Sequence, residues 1–275
     1  MFRFLWYWSR VILLVILGSL AVWLGYEYFT FPNTAKLKTE NPATSSMIEY
    51  RGSEARKEGK EPKRYQIWVP MDKISPNLQK AVLAGEDTNF VTHHGFDWDA
   101  INKSWEAAQK EAEKEAKEEG NDDPNDWIPA LDKDSIIDTV LVSLGYPKTS
   151  NFKRGASTVT QQLAKNLYLS EERSFLRKGR EYMMTRALEN NLSKRRILEI
   201  YLNIIEWGDG IYGAEAAART YFKKSAADLN PQEAAYLSAM IPSPLNIFNP
   251  QKNPKRVARR QRAILRGMPF VKIPN

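Results

Sequence analysis

The chain has 275 residues, a formal net charge of +7 and no cysteine. A chain of this size allows one domain of about 200–250 residues plus extra segments, and its hydrophobic content is sufficient for a core. The lack of cysteine excludes disulfide bonds and thiol chemistry, whereas the positive charge indicates an anionic partner: lipid headgroups or a phosphorylated substrate rather than nucleic acid.

The first residues predict a membrane-spanning helix. Apart from Arg3 and Arg10, residues 1–26 carry no charged side chain, and a spanning helix needs only about 20 residues. Aromatic residues near both ends resemble interfacial belts. A cleaved signal peptide is the alternative, but no convincing small-residue cleavage site precedes Glu27. We therefore assign 1–31 to an uncleaved single-pass anchor, with a short tail inside and the bulk of the chain outside.

The segment that follows the anchor is polar and irregular, and we expect 32–60 to form a stalk. Residues 65–70 predict a short strand. A helix is expected from Ser75 to Ala84, because Ser75 is a good N-cap and Pro76 suits the first turn.

Two adjacent acids, Glu86 and Asp87, follow this helix, and His93 comes shortly after them. A carboxylate in a partly desolvated cleft has a raised pKa and can act as general base or acid. For Asp87 and His93, a local hydrogen-bond network at the helix end is the alternative interpretation.

Residues 103–126 are charged and rich in alanine. Their favourable Glu–Lys spacing predicts a solvated helix that ends near Gly120 and Pro124. We interpret the segment as a surface insertion, with a role in partner binding as the alternative.

A stripe of hydroxyl, amide and ammonium groups recurs at helical spacing further along the chain, at Thr158, Gln161, Gln162 and Lys165. Such groups suit hydrogen bonding to sugar and phosphate oxygens. A capping box of Thr158 with Gln161 is the structural alternative. Arg173, Arg177 and Glu181 are four residues apart and predict a second polar face. A surface ion pair of Arg177 with Glu181 is the alternative there.

The rest of the chain is predicted to be helical, including 214–222, 231–241 and a basic closing helix over 255–268. That closing helix is interpreted as a solvated face, with contact to phosphates or headgroups as the alternative. Strands are nearly absent, and no nucleotide-binding glycine loop, zinc spacing or internal repeat occurs. The fold class is therefore mainly α.

Together these residues resemble a known family. The segment EDTNFVTHHGFD begins at Glu86, the segment GASTVTQQLAKN begins at Gly155, and Arg177, Lys178 and Glu181 form an R-K-x-x-E motif. With two further helical motifs, they resemble the monofunctional, membrane-anchored peptidoglycan glycosyltransferases (transglycosylases), which are related to the glycosyltransferase domain of class A penicillin-binding proteins.

The resemblance implies a lysozyme-like, two-lobed glycosyltransferase domain, which we place at 61–270 with the insertion at 103–126. It implies that the chain polymerises lipid II: the 4-hydroxyl of an acceptor attacks an undecaprenyl-diphosphate donor with inversion, which gives a β-1,4 glycan strand. The expected location is the inner (cytoplasmic) membrane of a bacterium, with the catalytic domain on the periplasmic side.

The family motifs imply roles for individual residues. Glu86 is expected to be the general base, and Glu181 the second acidic catalytic residue, which either orients the site or assists charge at the diphosphate. The remaining matched residues are expected to bind the diphosphate or the sugars: Lys165, Arg173, Arg180, Ser157, Gln161, Gln162, Asn166, Asp87 and His93. No protein metal site is expected, and a divalent cation at the diphosphate is left open.

The resemblance also defines the partners: lipid II, the growing glycan strand, membrane lipid and other cell-wall synthesis proteins, but no nucleic acid. No Ser-x-x-Lys motif of a penicillin-binding domain follows, so we expect no transpeptidase activity. Two alternatives stay open from the residues alone, namely a lysozyme-like peptidoglycan-cleaving enzyme and a non-enzymatic cell-wall scaffold anchored in the membrane.

Overall fold

The computed structural model describes residues 2–104, 106–107, 110, 157–169 and 175–275. It divides into two compact units, Met1–Lys36 and Leu37–Asn275. The described part is mainly helical, which confirms the predicted fold class. The division of the catalytic domain into two lobes stays a prediction.

The described residues form mainly α-helices, and residues 98–104 are helical as well. In chain order they are α1 (Phe2–Thr30), α2 (Ser46–Lys57), α3 (Pro76–Glu86), α4 (Val159–Tyr168), α5 (Phe175–Asn191), α6 (Lys194–Ile204), α7 (Ala214–Phe222), α8 (Pro231–Met240) and α9 (Pro254–Gly267). Short 3-10 turns lie at Thr34–Lys38, Met71–Lys73, Ala226–Asp228 and Met268–Phe270.

Helix α1 has the length and composition of a membrane span. Its most apolar window, Trp6–Trp23, has a mean hydropathy of 1.6 and none of it is buried within the protein. Length and composition alone also fit a signal sequence, so the finding supports the predicted anchor without separating the two.

Helix α2 replaces much of the irregular stalk predicted for 32–60. The hydroxyl of Ser45 accepts the N–H of Ile48 and caps its first turn. Ile48 and Gly52 are buried and lie four residues apart, so they form one narrow face. This helix packs against α4. The helix could not be predicted from the sequence, because a buried face with a single large apolar residue gives little periodic signal.

Helix α3 begins as predicted, with Ser75 as its cap and Pro76 at its first position. It continues two residues beyond the predicted end and finishes at Glu86, so its last turn presents that carboxylate. Its buried face packs against α8 and α9.

A small sheet of three strands stands beside these helices. The strands are β1 (Tyr65–Gln66), β2 (Glu206–Gly208) and β3 (Ile211–Tyr212), in the order β1-β3-β2. β3 pairs in parallel with β1 and antiparallel with β2. The strand predicted over 65–70 is thus confirmed only at its first two residues. Gly213 follows β3 with φ +83°, and a Cβ there would lie 2.6 Å from the carbonyl oxygen of Asn203, so glycine lets the backbones approach.

Helices α4, α5 and α6 form the wall that carries the polar motifs. α4 packs against both other helices, and α6 is almost fully buried from Ile197 to Ile204. The closing helix α9 buries Val257 and Ile264 against its neighbours and leaves most of its basic residues accessible. Of the insertion predicted at 103–126, residues 103, 104, 106, 107 and 110 are helical, and the others lie outside the described residues.

Candidate active site

A cavity with a volume of about 930 Å³ lies among the described residues of the Leu37–Asn275 unit. Glu86 at the end of α3 and Glu181 on α5 both line it. Among the residues expected to bind substrate, Ser157, Gln162, Lys165 and Asn166 also line this cavity. The structure therefore brings together most of the side chains that the motifs single out.

Both carboxylate oxygens of Glu86 are held by hydrogen bonds. Arg260 on α9 donates from Nη2 to Oε1 at 2.7 Å, and Gln162 on α4 donates from Nε2 to Oε2 at 2.9 Å. Arg260 Nη2 also donates to the carbonyl oxygen of Gly85 at 2.9 Å. Glu86 therefore has a fixed orientation at the cavity wall, where 9% of its side chain is exposed.

The environment of Glu86 sets its pKa through opposing effects. Burial raises the pKa of the Glu86 carboxyl above its ordinary value, because desolvation disfavours the charged form. The charge and hydrogen bond of Arg260, with the hydrogen bond of Gln162, act in the opposite direction. A carboxylate that is more basic than usual and is held in one orientation has the properties of a general base.

Gln162 is itself oriented by a buried tyrosine. The hydroxyl of Tyr201 on α6 donates to Gln162 Oε1 at 2.7 Å, which leaves the amide NH₂ group to face Glu86. Burial, followed by the charge of Glu86, raises the pKa of Tyr201 well above its ordinary value. The phenol therefore stays neutral and serves as a fixed donor.

Glu181 has a different environment. It is buried, and its Oε1 accepts a hydrogen bond from Lys178 Nζ at 3.0 Å. Its Oε2 is also buried, yet makes no hydrogen bond with any residue in the described part of the chain. Burying an acceptor without a hydrogen-bond partner lowers the stability of the fold, unless a bound ligand supplies the donor. The surface ion pair of Glu181 with Arg177 that the sequence left open is replaced by a pair with Lys178.

Asp87 and His93 face away from the cavity and form the internal network that was the alternative interpretation. His93 Nε2 lies 2.9 Å from Asp87 Oδ1, and Gly95 N–H donates to His93 Nδ1 at 3.2 Å. Nδ1 is therefore the acceptor, and Nε2 carries the proton donated to Asp87. Val159 N–H donates to Asp87 Oδ2 at 2.9 Å, which joins the loop to the start of α4. These contacts position Glu86 and α4 relative to each other.

Gln161 also does not line the cavity. Its Oε1 accepts the N–H of Thr158, and the Thr158 hydroxyl accepts the N–H of Gln161. This is the capping box that was the structural alternative. The predicted polar stripe therefore divides: Gln162 and Lys165 face the cavity, while Thr158 and Gln161 start the helix.

The basic residues expected at the diphosphate are placed in part. Lys165 lines the cavity, and so do Arg177 and Lys178, which were not expected at the diphosphate. Arg180 is half-buried on α5 and is not among the lining residues. Arg173 lies outside the described residues.

The contribution of α9 to the cavity was not predicted from the sequence. Arg256, Arg259 and Arg260 all line the cavity, although the helix was interpreted as a solvated face. Their spacing of three and four residues was an available signal, because it places the three guanidinium groups on one face. No sequence pattern, however, predicted that an arginine of this face pairs with Glu86.

The described residues contain no group of three or more His, Asp and Glu side chains arranged to hold a metal ion.

Comparison with known proteins gives one consistent result. The family model described as Transglycosylase matches residues 52–120 and 129–269. Three relatives are each named biosynthetic peptidoglycan transglycosylase. They come from Bordetella pertussis (38% identical), Chromobacterium violaceum (36% identical) and Dechloromonas aromatica (35% identical). Each alignment covers 97% of this chain, and it covers 96%, 100% and 97% of the three relatives, respectively. Transglycosylase domains are lysozyme-like, in agreement with the mainly helical fold. With the motif acids on one cavity and this similarity over nearly its whole length, the chain belongs to the transglycosylase family.

Proposed function

We propose that the chain polymerises lipid II into the β-1,4 glycan strands of peptidoglycan, with Glu86 as general base. The observation that carries the proposal is the single cavity shared by Glu86, Glu181 and the basic side chains of α4 and α5. In the proposed step the acceptor 4-hydroxyl oxygen forms a bond to the anomeric carbon of the donor. The bond from that carbon to the diphosphate breaks, and the hydroxyl proton passes to Glu86.

The surroundings of Glu86 suit proton abstraction. Its two hydrogen bonds fix the carboxylate in one orientation, and burial makes it more basic than an exposed glutamate. A base with a pKa nearer to the working pH transfers protons more effectively.

The basic side chains suit the leaving group. As the donor bond breaks, negative charge develops on the diphosphate, and fixed cations lower the energy of that transition state. Lys165 and Arg177 line the cavity and are proposed to bind the diphosphate, together with Arg173 and Arg180. A divalent cation, where the reaction uses one, takes diphosphate oxygens as ligands.

Glu181 is proposed to accept a hydrogen bond from the substrate. Its buried Oε2 makes no hydrogen bond with any described protein group, so a hydroxyl or amide N–H of a bound sugar would satisfy it. This orients the donor rather than removing a proton from the acceptor.

Helix α1 is proposed to be a single-pass anchor in the cytoplasmic membrane, with the catalytic domain on the periplasmic side. An enzyme whose substrates carry long lipid chains gains from attachment to the same bilayer, because the anchor raises the local concentration of enzyme at the surface. Protease added outside spheroplasts should digest the Leu37–Asn275 unit; its protection would contradict this orientation.

Incubation of the purified full-length chain with lipid II tests the function. We expect glycan ladders on gels that lengthen with time, and no soluble fragments from finished peptidoglycan. Release of such fragments without polymerisation would indicate a cleaving enzyme instead. Inactivity on both substrates would favour the scaffold alternative.

A further inference from the structure

We propose that Arg256 and Arg259 on α9 form a second phosphate-binding cluster, which holds the diphosphate of the acceptor lipid. The cluster would act on the other side of Glu86 from the basic residues assigned to the donor. This inference rests on the proposed function, because only a reaction between two diphosphate-linked lipids requires two such clusters.

The charge pairs around the cavity leave Arg256 and Arg259 available to bind a phosphate group. The cavity-lining acids are each paired with a basic side chain, in the pairs Glu86–Arg260, Glu181–Lys178 and Glu206–Arg51. Four further basic residues line the cavity: Lys165, Arg177, Arg256 and Arg259. Among the described lining residues, basic side chains therefore outnumber acidic ones, which suits anionic ligands.

Arg256 and Arg259 differ from the other basic residues of this set. Both are exposed, and neither side chain makes an ion pair or a hydrogen bond with any residue in the described ranges. A guanidinium group can donate two parallel N–H bonds to a phosphate, and it is more weakly hydrated than an ammonium group. Two of them at adjacent positions on one helical face therefore form a good diphosphate-binding surface.

The position of Glu86 separates the two clusters. Its Oε2 is bonded to Gln162 on α4, and its Oε1 is bonded to Arg260 on α9. Lys165 lies one turn after Gln162, whereas Arg256 lies one turn before Arg260. α4 packs on α2, α5 and α6, while α9 packs on α3 and α8. The base thus lies between two cationic walls that belong to different parts of the fold.

This arrangement matches the geometry of the acceptor. The 4-hydroxyl that reacts is on the outer sugar of the disaccharide, while the diphosphate is attached to the inner sugar and stays intact. A cation for this diphosphate must therefore lie some distance from the base. One helical turn of about 5.4 Å separates Arg256 from Arg260, and long arginine side chains extend the distance further.

Steady-state kinetics of the full-length chain test the proposal. The variant R256Q/R259Q is compared with R262Q/R266Q, which removes the same charge from the same helix at exposed positions that do not line the cavity. The donor is lipid II that lacks the reactive 4-hydroxyl, held at saturation in neutral detergent, and ordinary lipid II is varied as acceptor. We expect the acceptor KM to rise about tenfold or more for R256Q/R259Q, with kcat within about threefold, and both constants to be unchanged for R262Q/R266Q.

The outcomes separate this inference from the proposed function. Absence of polymerisation by the unaltered chain would contradict the proposed function itself. Normal polymerisation with equal acceptor KM values for the two variants would overturn only the second cluster. The comparison is repeated in nanodiscs with and without phosphatidylglycerol. A difference between the variants that occurs only with phosphatidylglycerol would assign the arginines to lipid headgroups and overturn the proposal.

Discussion

The end of α3 and the middle of α5 each present one carboxylate to the same cavity, but the protein holds them in different ways. Both oxygens of Glu86 are bonded, by Arg260 and Gln162. Glu181 has one oxygen bonded to Lys178 and a second, buried oxygen that accepts no hydrogen bond from any described residue. A carboxylate bonded at both oxygens is oriented before substrate arrives, whereas one bonded at a single oxygen can gain a second partner from the substrate. The comparison suggests a base at Glu86 and a substrate-orienting group at Glu181.

The largest expected effect comes from Glu86→Gln. The amide keeps the shape of the side chain but cannot accept the proton, so we expect polymerisation to fall about 10²–10⁴-fold, the usual contribution of a general base. The rate of glycan formation from lipid II is the measurement. The melting temperature serves as control and should change little. Full activity with an intact fold would remove Glu86 as the base.

For Glu181→Gln we expect the polymerisation rate to fall less, by about 10²-fold, because the substitution weakens one charge-assisted hydrogen bond to the substrate. Its matched control is Lys178→Gln. Lys178 is 65% exposed and Glu181 3% exposed. Because solvent screens the ammonium charge of Lys178, the rate should stay within about threefold. Assays of polymerisation rate and of lipid II binding make the comparison. Equal losses of rate in both variants would show that the Glu181–Lys178 ion pair, rather than the buried Oε2 of Glu181, supports polymerisation.

The smallest effect is expected from Arg260→Gln, and it should depend on pH. Burial already raises the pKa of Glu86 and Arg260 opposes that rise, so loss of the guanidinium should raise the pKa further. Since the base works only when ionised, the acidic limb of the kcat/KM profile should move to higher pH. We expect kcat/KM to fall about tenfold on the acidic side of the profile, and activity should recover at higher pH.

Arg260→Lys is the conservative control for this shift. It keeps the positive charge near Glu86, so its acidic limb should lie closer to that of the unaltered chain. A loss for Arg260→Gln that is equal at every pH would contradict an effect through the ionisation of Glu86.

The local motifs predicted much of the catalytic region. Ser75 and Pro76 start α3 where expected, and the helix delivers Glu86 to the cavity. The assignment of neighbouring polar residues was less successful. Gln161 and Gln162 are adjacent, but the first completes a helix cap and the second bonds to Glu86. Adjacent helical positions point in directions about 100° apart, and only the packing of α4 shows which direction leads to the cavity.

By itself, the sequence determined the motif residues, the helical character and the helix starts, because caps and periodicity depend on residues within one or two turns. The tertiary structure alone decided which distant groups meet. Arg260 reaches Glu86 across 174 positions of chain, and α2 packs on α4 from a stretch that resembled a stalk. An ion pair of this kind depends on how α9 packs against α3, and no short-range pattern encodes that packing.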